Sequence, residues 1–459
     1  MKLRRWQKSC IDGAMDKYTH PHSHFLCLAT PGAGKTAMAS TLAKNLFEEG
    51  KIDLVMCFSP SLVIARDFQF ALELHTQKRF CGGLGSSGTS LCYHSMQSLG
   101  ERFWSLFEQN RVFVIFDEIH HCAGGNVHTA NAWGGQILAN IQGKATYTLA
   151  LTGTPWRSDN IPIALAEYCE NNQYIHCDHK YGLLEAIKDG VCRVPHITAL
   201  DNHKITVTSY DETSVYRSFA DLLASSSCVY KDVIEHPNVI ECLLNVTKVK
   251  LDQLRKSYPD TGGLIVAASV DHAKQIKGCL LAMGEPAAVV TYRESNPLST
   301  IERFKHGKDK WIISVGMISE GTNIPRLRVC CYLSQVKTEL YFRQVLGRVM
   351  RVHHHSDETG YFIMPAHAKL LEYAQRLAED IPEHAKVNIE MIEALDIVHD
   401  PDIAENSTSK TCEVSNKKIG FENNHSKHST ETVVPQTLDY LYHSTINSLG
   451  RFSQAIYEL

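Results

Sequence analysis

The stretch Ala29 to Thr36 reads Ala-Thr-Pro-Gly-Ala-Gly-Lys-Thr and follows a short apolar run, Phe25–Leu28. Beyond it, Met38, Leu42 and Leu46 recur at helical spacing. A strand that ends in a glycine turn and passes into a helix is the context a phosphate loop requires. The turn Pro31-Gly32-Ala33-Gly34 is the candidate cradle for ATP: its glycines let backbone N–H groups curl around phosphate oxygens, and the helix N-terminus adds partial positive charge. Lys35 is then placed to reach the β- and γ-phosphates, and Thr36 to ligate Mg²⁺.

A second group fits the same chemistry. Asp117-Glu118-Ile119-His120 follows the apolar run Val112–Phe116. Two carboxylates at the end of a buried strand are costly unless something uses them, because an unpaired buried charge is penalised by several kcal/mol, as an order of magnitude. Asp117 is the candidate second Mg²⁺ contact, and Glu118 the group that orients or deprotonates an attacking water. Leu151-Thr152-Gly153-Thr154-Pro155 ends the next apolar run, and its hydroxyls could relay the state of the γ-phosphate.

The elements that must position these groups alternate. Phe25–Ala29, Leu54–Ser59, Val112–Phe116 and Thr148–Leu151 read as strands with helical patterns between them, which predicts a parallel sheet covered on both faces. Leu183–Lys188 reads as a helix, and Pro195 marks a boundary. A second alternation follows, with strands expected at Gly263–Ala268, Ala287–Val290, Trp311–Val315, Val329–Leu333 and Gly360–Met364. Helices are expected there at Ala273–Met283, Ser299–Phe304 and Glu339–Val349. The fold class is therefore α/β, with two domains in tandem.

The expected division is residues 1–195 for the ATP-binding domain, 196–245 for a connecting segment containing a polar strand, Lys204–Thr208, and 246–400 for the second domain. Residues 401–436, rich in Asn, Ser, Thr, Lys and His, read as a polar linker. Residues 437–459 recover apolar spacing through Leu441, Ile446, Leu449, Phe452 and Ile456, which predicts a short terminal helical segment and a possible seat for a protein partner.

With 459 residues the chain is too long for one core. Its 44% hydrophobic and 21% charged residues are ordinary for a globular protein, and a net charge of −4 means that any basic surface must be local. The 15 cysteines include no CxxC pair, which predicts reduced thiols and a cytoplasmic location. His120, His121, Cys122 and His128 cluster, but zinc there would need ligands from elsewhere. His353, His354 and His355 read as an exposed run. No apolar stretch has the length of a membrane span and no signal pattern opens the chain, so no membrane partner is expected.

In this motif order the chain resembles a superfamily 2 helicase of the DExH type, over about residues 1–375. Ala29 at the first position of the phosphate loop matches the A-x-x-G-x-G-K-T form of such motors. Leu3-Arg4-Arg5-Trp6-Gln7 resembles their adenine-reading element, with Gln7 on the base. Gly316–Pro325 resembles motif V and would bring Gly321 and Asn323 to the nucleotide. Gln344-Val345-Leu346-Gly347-Arg348-Val349-Met350-Arg351 matches the Q-x-x-G-R-x-x-R of motif VI, which would add Gln344. Arg348 and Arg351 lie three apart and so share a helix face. Their guanidinium forks suit the γ-phosphate.

Within the superfamily, Leu151–Pro162, Tyr181–Pro195 and Ser319–Arg351 resemble phage and bacterial DEAD/DEAH-box helicases carrying a type III restriction-subunit ATPase domain. Asn323 departs from the Asp usual there, losing a charge and keeping an acceptor. The resemblance implies two RecA-like domains with ATP and Mg²⁺ between them, and a nucleic-acid strand across both. Phosphate contacts would come from Ser59 and Pro60, from Ser95 and Gln97, and from Ser269 and Thr322, groups that do not read sequence. DNA is the expected strand. An RNA helicase, the motor subunit of a restriction or defence complex, and a clamp that does not unwind are the alternatives.

Overall fold

A computed structural model describes residues 3–379 apart from 127–129, 156, 158, 160, 170–173, 203, 210–211, 295, 319–321 and 353–358, together with 391–392 and 452–458. Two sheets organise it. The first contains β1 (Ser23–Ala29), β2 (Leu54–Ser59), β3 (Gly88–Cys92), β4 (Val112–Asp117), β5 (Tyr147–Thr152) and β8 (His179–Tyr181). Their order is β3-β2-β4-β5-β1-β8, and every pairing is parallel.

Both faces of this sheet are covered, as continuous apolar strands demand. Phe113 and Ile115 of β4 pack on one side with Cys27, Val55 and Leu149. Val114 and Phe116, pointing the other way, pack with Leu26, Met56 and Ala150. Helices α1 (Arg5–Lys17), α2 (Lys35–Glu48) and α3 (Leu62–Thr76) cover the first of these faces. Two small antiparallel pairs, β6 (Tyr168–Cys169) with β7 (Tyr174–Ile175) and β10 (Ile205–Ser209) with β11 (Glu212–Tyr216), stand apart from the sheets.

The second sheet takes β9 (Val194–Asn202), β12 (Gly262–Ala267), β13 (Ala287–Val290), β14 (Trp311–Ser314), β15 (Leu327–Leu333) and β16 (Thr359–Pro365). The order is β13-β14-β12-β15-β16-β9, again parallel throughout. Gly263 is required at its place, since a β-carbon there would stand 2.4 Å from the buried Trp311 ring. Buried Arg193 fixes the crossing from one sheet to the other: its Nη1 donates to the Leu327 carbonyl at 2.6 Å and the Val349 carbonyl at 2.8 Å. A 21-residue helix, Pro237–Ser257, runs from the expected connecting segment into the second domain across the boundary placed at 245.

The chain end departs from expectation. Phe452–Glu458, expected to be helical, is a strand, β18, paired antiparallel with β9 from Phe452↔Asn202 to Glu458↔His196. It is flanked by the short β17 (Met391–Ile392). An open edge on β9 offers a row of unpaired backbone groups, and a seven-residue strand satisfies them better than a helix could. The linker at 401–436 and the rest of 437–459 lie outside the described residues. So do His128 and His353–His355.

Candidate active site

The parallel strands of the first sheet deliver their C-terminal ends to one edge, and the groups that could do chemistry sit there. After β1 the chain turns through Gly32 (φ 85°) and Gly34 (φ 95°), both left-handed, and enters α2 at Lys35. Residues with a β-carbon would be strained in these two places. Arg4 Nη1 donates to the Ala33 carbonyl at 2.6 Å, and Gln7 Nε2 donates to the Gly34 carbonyl at 2.9 Å. Gln7 Oε1 accepts from the Arg4 backbone N–H at 2.8 Å, so the start of α1 braces the loop.

Lys35 Nζ lies 2.8 Å from Glu118 Oε1 and 3.3 Å from the Ala29 carbonyl. Glu118 takes a left-handed backbone conformation (φ 50°), which turns its side chain from the end of β4 toward the loop. Its Oε2 accepts from the Gly153 N–H at 3.2 Å and lies 3.4 Å from His120 Nδ1. His120 Nδ1 is 2.9 Å from Thr152 Oγ1, so the turn after β5 touches the acidic pair directly.

The two carboxylates are driven apart electrostatically. Burial pushes the Asp117 carboxyl up, and the neighbouring Glu118 charge pushes it further. Burial acts the same way on Glu118, but the charge and hydrogen bond of Lys35 outweigh it and hold Glu118 well below the usual carboxylate range. Glu118 is therefore an anion already paired with a cation.

The opposite wall comes from the second half. A cavity of about 560 Å³ is lined by Pro31, Gly32, Gly34, Lys35, Thr36, Asp117 and Glu118 on one side and by Thr322, Asn323, Gln344, Arg348 and Arg351 on the other. The helix Glu339–Val349 carries Gln344 and Arg348, and Arg351 follows its end. Arg348 Nη1 donates to the Thr322 carbonyl at 2.7 Å, Arg351 Nη1 to the same oxygen at 3.1 Å, and Arg351 also to Asn323 Oδ1. Both forks are thus held at the cavity by one backbone oxygen, which no sequence pattern reveals.

A β-carbon built on Gly347 would lie 2.9 Å from Pro31 Cβ, so the helix Glu339–Val349 meets the glycine turn after β1 with no room to spare. Gly347→Ala is expected to hold the halves slightly apart and lower turnover by roughly ten- to a hundredfold. Steady-state turnover at saturating ATP checks this; an unchanged rate would mean that this close approach is not needed.

The residues present fit a divalent cation with a triphosphate. Asp117 and Thr36 line the cavity beside Lys35. The carboxylate of Asp117, at the end of a buried strand, is approached by the Glu118 backbone N–H and by no side-chain donor among the described residues, which leaves lone pairs for a cation. No group of three or more His, Cys, Asp or Glu side chains that could hold a metal occurs among the described residues, which leaves the zinc alternative without a site there.

The expected strand contacts are more dispersed. Ser59 ends β2 and is buried, with Pro60 next to it; Ser95 and Gln97 lie in the turn Tyr93–Ser98 after β3. Ser269 caps the helix Val270–Ala282 after β12, its Oγ accepting from the His272 N–H at 3.1 Å. Thr322 is buried in the cavity wall, with its carbonyl on the two arginines. Gly321 lies outside the described residues.

Arg4, from the stretch likened to the adenine-reading element, also lines the cavity and reaches Ala33. Asp67 of α3 lines it too, its carboxyl pushed up by burial, and no sequence pattern marks it. Asp67 lies in a helix of ordinary amphipathic pattern, so nothing local could have marked it.

Residues 1–157 match the family model described as type III restriction enzyme, res subunit. An uncharacterised protein of Mycobacterium tuberculosis is 30% identical over 389 residues, which is 82% of this chain and 63% of the relative. The chain therefore spans about 63% of the length of that relative. A fragment assigned as the HsdR subunit of a type I restriction enzyme from Vibrio vulnificus superposes with a TM-score of 0.54 at 15% identity, covering 81% of this chain and 65% of that one.

The type ISP restriction-modification enzyme LlaBIII bound to DNA superposes with a TM-score of 0.53 at 15% identity, covering 83% of this chain and 30% of that one. Likeness at such identity speaks to fold: the two parallel-sheet halves are tandem RecA-like domains. The resemblance to superfamily 2 helicases with a type III restriction-subunit ATPase domain is borne out. No helix among the described residues is long and apolar enough to cross a membrane.

Proposed function

We propose that this chain, whose first 157 residues match the type III restriction res-subunit model, is an ATP-dependent nucleic-acid motor of the DExH type. It hydrolyses Mg²⁺-ATP between its two halves and works on DNA in the cytoplasm as a helicase or translocase. One observation carries the reading: a single cavity joins Lys35 and Glu118 from one half to Arg348 and Arg351 from the other.

The roles follow from the contacts. Lys35 leaves Glu118 when phosphate arrives, because a triphosphate offers it more negative charge than one carboxylate does. Glu118, kept anionic and still anchored by the Gly153 N–H, then accepts the proton of the attacking water. Thr36 and Asp117 would hold Mg²⁺, which supplies charge neutralisation on the phosphate oxygens. Gln7, which already touches the phosphate loop, is the group for adenine. Arg348 and Arg351 exchange the Thr322 carbonyl for γ-phosphate oxygens as the halves close, and Asn323 holds Arg351 without neutralising it.

Lys35→Ala removes the cation from both ligand and carboxylate. Affinity for a fluorescent ATP analogue should fall by roughly tenfold or more, with turnover falling alongside it. Affinity and turnover that both stay at wild-type values would dispose of the phosphate-loop assignment.

A second reading, the motor subunit of a restriction or defence complex, is favoured by the res-subunit match. DNA is favoured over RNA because one structural neighbour is a restriction enzyme bound to DNA. ATP hydrolysis measured side by side with single-stranded DNA, duplex DNA, forked DNA and RNA tests the proposal. DNA should stimulate turnover most; stimulation by RNA alone would move the chain to the RNA-helicase alternative, and stimulation by none would end the motor reading.

A further inference from the structure

The turn that carries Ser95 and Gln97 opens with Tyr93 and His94, and these two meet Trp133 at the start of the helix Ala132–Asn140. The Trp133 indole stacks on Tyr93, with centroids 5.6 Å apart and planes 21° apart. His94, exposed, meets its edge at 5.8 Å, and His121 meets it at 6.3 Å. Trp133 keeps part of its ring exposed, whereas Tyr93 is buried.

The mount is rigid. Asn131 Oδ1 accepts from the Gly134 N–H at 2.8 Å and the Ala123 N–H at 3.1 Å, and Asn131 Nδ2 donates to the His121 carbonyl at 2.7 Å. A β-carbon on Gly134 would fall 1.9 Å from the Ala123 carbonyl oxygen, so glycine permits this close seating. The indole is therefore fixed on the segment that directly follows Asp117 and Glu118.

Two short routes join it to the carboxylates. Tyr93 Oη donates to the Asp117 carbonyl at 2.8 Å. On the other side His121 packs on His120 at 4.5 Å, and His120 Nδ1 stands 3.4 Å from Glu118 Oε2. A partly exposed indole packed on the turn that carries Ser95 and Gln97 offers a base a surface on which to stack, and stacking tolerates any base because each has a π-face.

We propose that Trp133, with His94 at its edge, is a stacking platform for one base of the bound single strand and signals strand occupancy to Asp117 and Glu118. The inference rests on the motor reading and deepens it. Binding through Ser95 and Gln97 alone would not distinguish a strand with bases from one without them; the platform does.

The test compares an oligonucleotide of mixed sequence with an abasic strand of the same length, by affinity and by ATP turnover at saturating strand. Wild type should bind the base-bearing strand about tenfold more tightly and turn over faster on it. Trp133→Ala should reduce that preference to near one and bring the two stimulated rates together, while Trp133→Phe should retain part of both. His94→Ala, at the surface, should lower the preference by about threefold through the weaker edge contact. Equal affinity of wild type for the two strands would overturn the platform, as would a Trp133→Ala variant that keeps the preference. If wild type binds the abasic strand and is stimulated by it, the motor reading survives that failure. If it binds neither strand, both fall.

Discussion

Glu118→Gln is expected to bind ATP at least as tightly as wild type while turning it over roughly a hundredfold more slowly, or worse. The carboxylate is now ion-paired to Lys35 at 2.8 Å, which is the bond ATP must displace. An amide of the same shape keeps the hydrogen bond from the Gly153 N–H but loses the negative charge that pairs with Lys35 and the basicity that water deprotonation needs. Binding and hydrolysis should therefore move in opposite directions. Titration with a fluorescent ATP analogue and a single-turnover rate separate the two, and a variant with wild-type turnover would remove Glu118 from the chemistry.

Arg348→Ala should cost more. Its guanidinium is held by the Thr322 carbonyl at the cavity edge, and in the proposed mechanism it neutralises charge once the halves close on the phosphates. Arginines supplied to a γ-phosphate in this way contribute on the order of a thousandfold or more to turnover. ATP binding to the open form should stay within a few-fold of wild type, because the lost contact belongs to the transition state. Arg351→Ala should behave similarly and more mildly, since Arg351 shares its charge between the Thr322 carbonyl and Asn323. The decisive readout is fold-stimulation by nucleic acid. A basal rate that falls while stimulation is preserved would place Arg348 outside the coupled cleft.

Much of this site is local in the chain. The strand, glycine turn and helix around Lys35 and the strand ending in Asp117-Glu118 are contiguous patterns, and β2 and β13 were expected at the bounds they have. Strands of mixed polarity or little length were harder. β3 is Gly-Thr-Ser-Leu-Cys at a sheet edge, and β8 has three residues paired to β1, so neither shows a hydrophobic period. The four-residue spacing of Phe452 and Ile456 reads as helix; it is the partner β9 that makes the segment the strand β18.

Contacts through backbone atoms were not readable at all. The Thr322 carbonyl binds two arginines, and the Ala33 and Gly34 carbonyls bind Arg4 and Gln7. Side-chain type carries no trace of any of them. Asp67 and Trp133 enter through space, from helices whose own spacing is unremarkable.

The central claim is that nucleotide and strand meet one closing cleft, so each must change the affinity for the other by the same factor. Affinity of the Glu118→Gln variant for ATP, which it binds without appreciable turnover, can be titrated with and without saturating single-stranded DNA. The account predicts tightening of about fivefold or more with the strand present, and the same factor for DNA when ATP is saturating. Identical ATP affinity with and without DNA, in a variant shown to bind both, would contradict it.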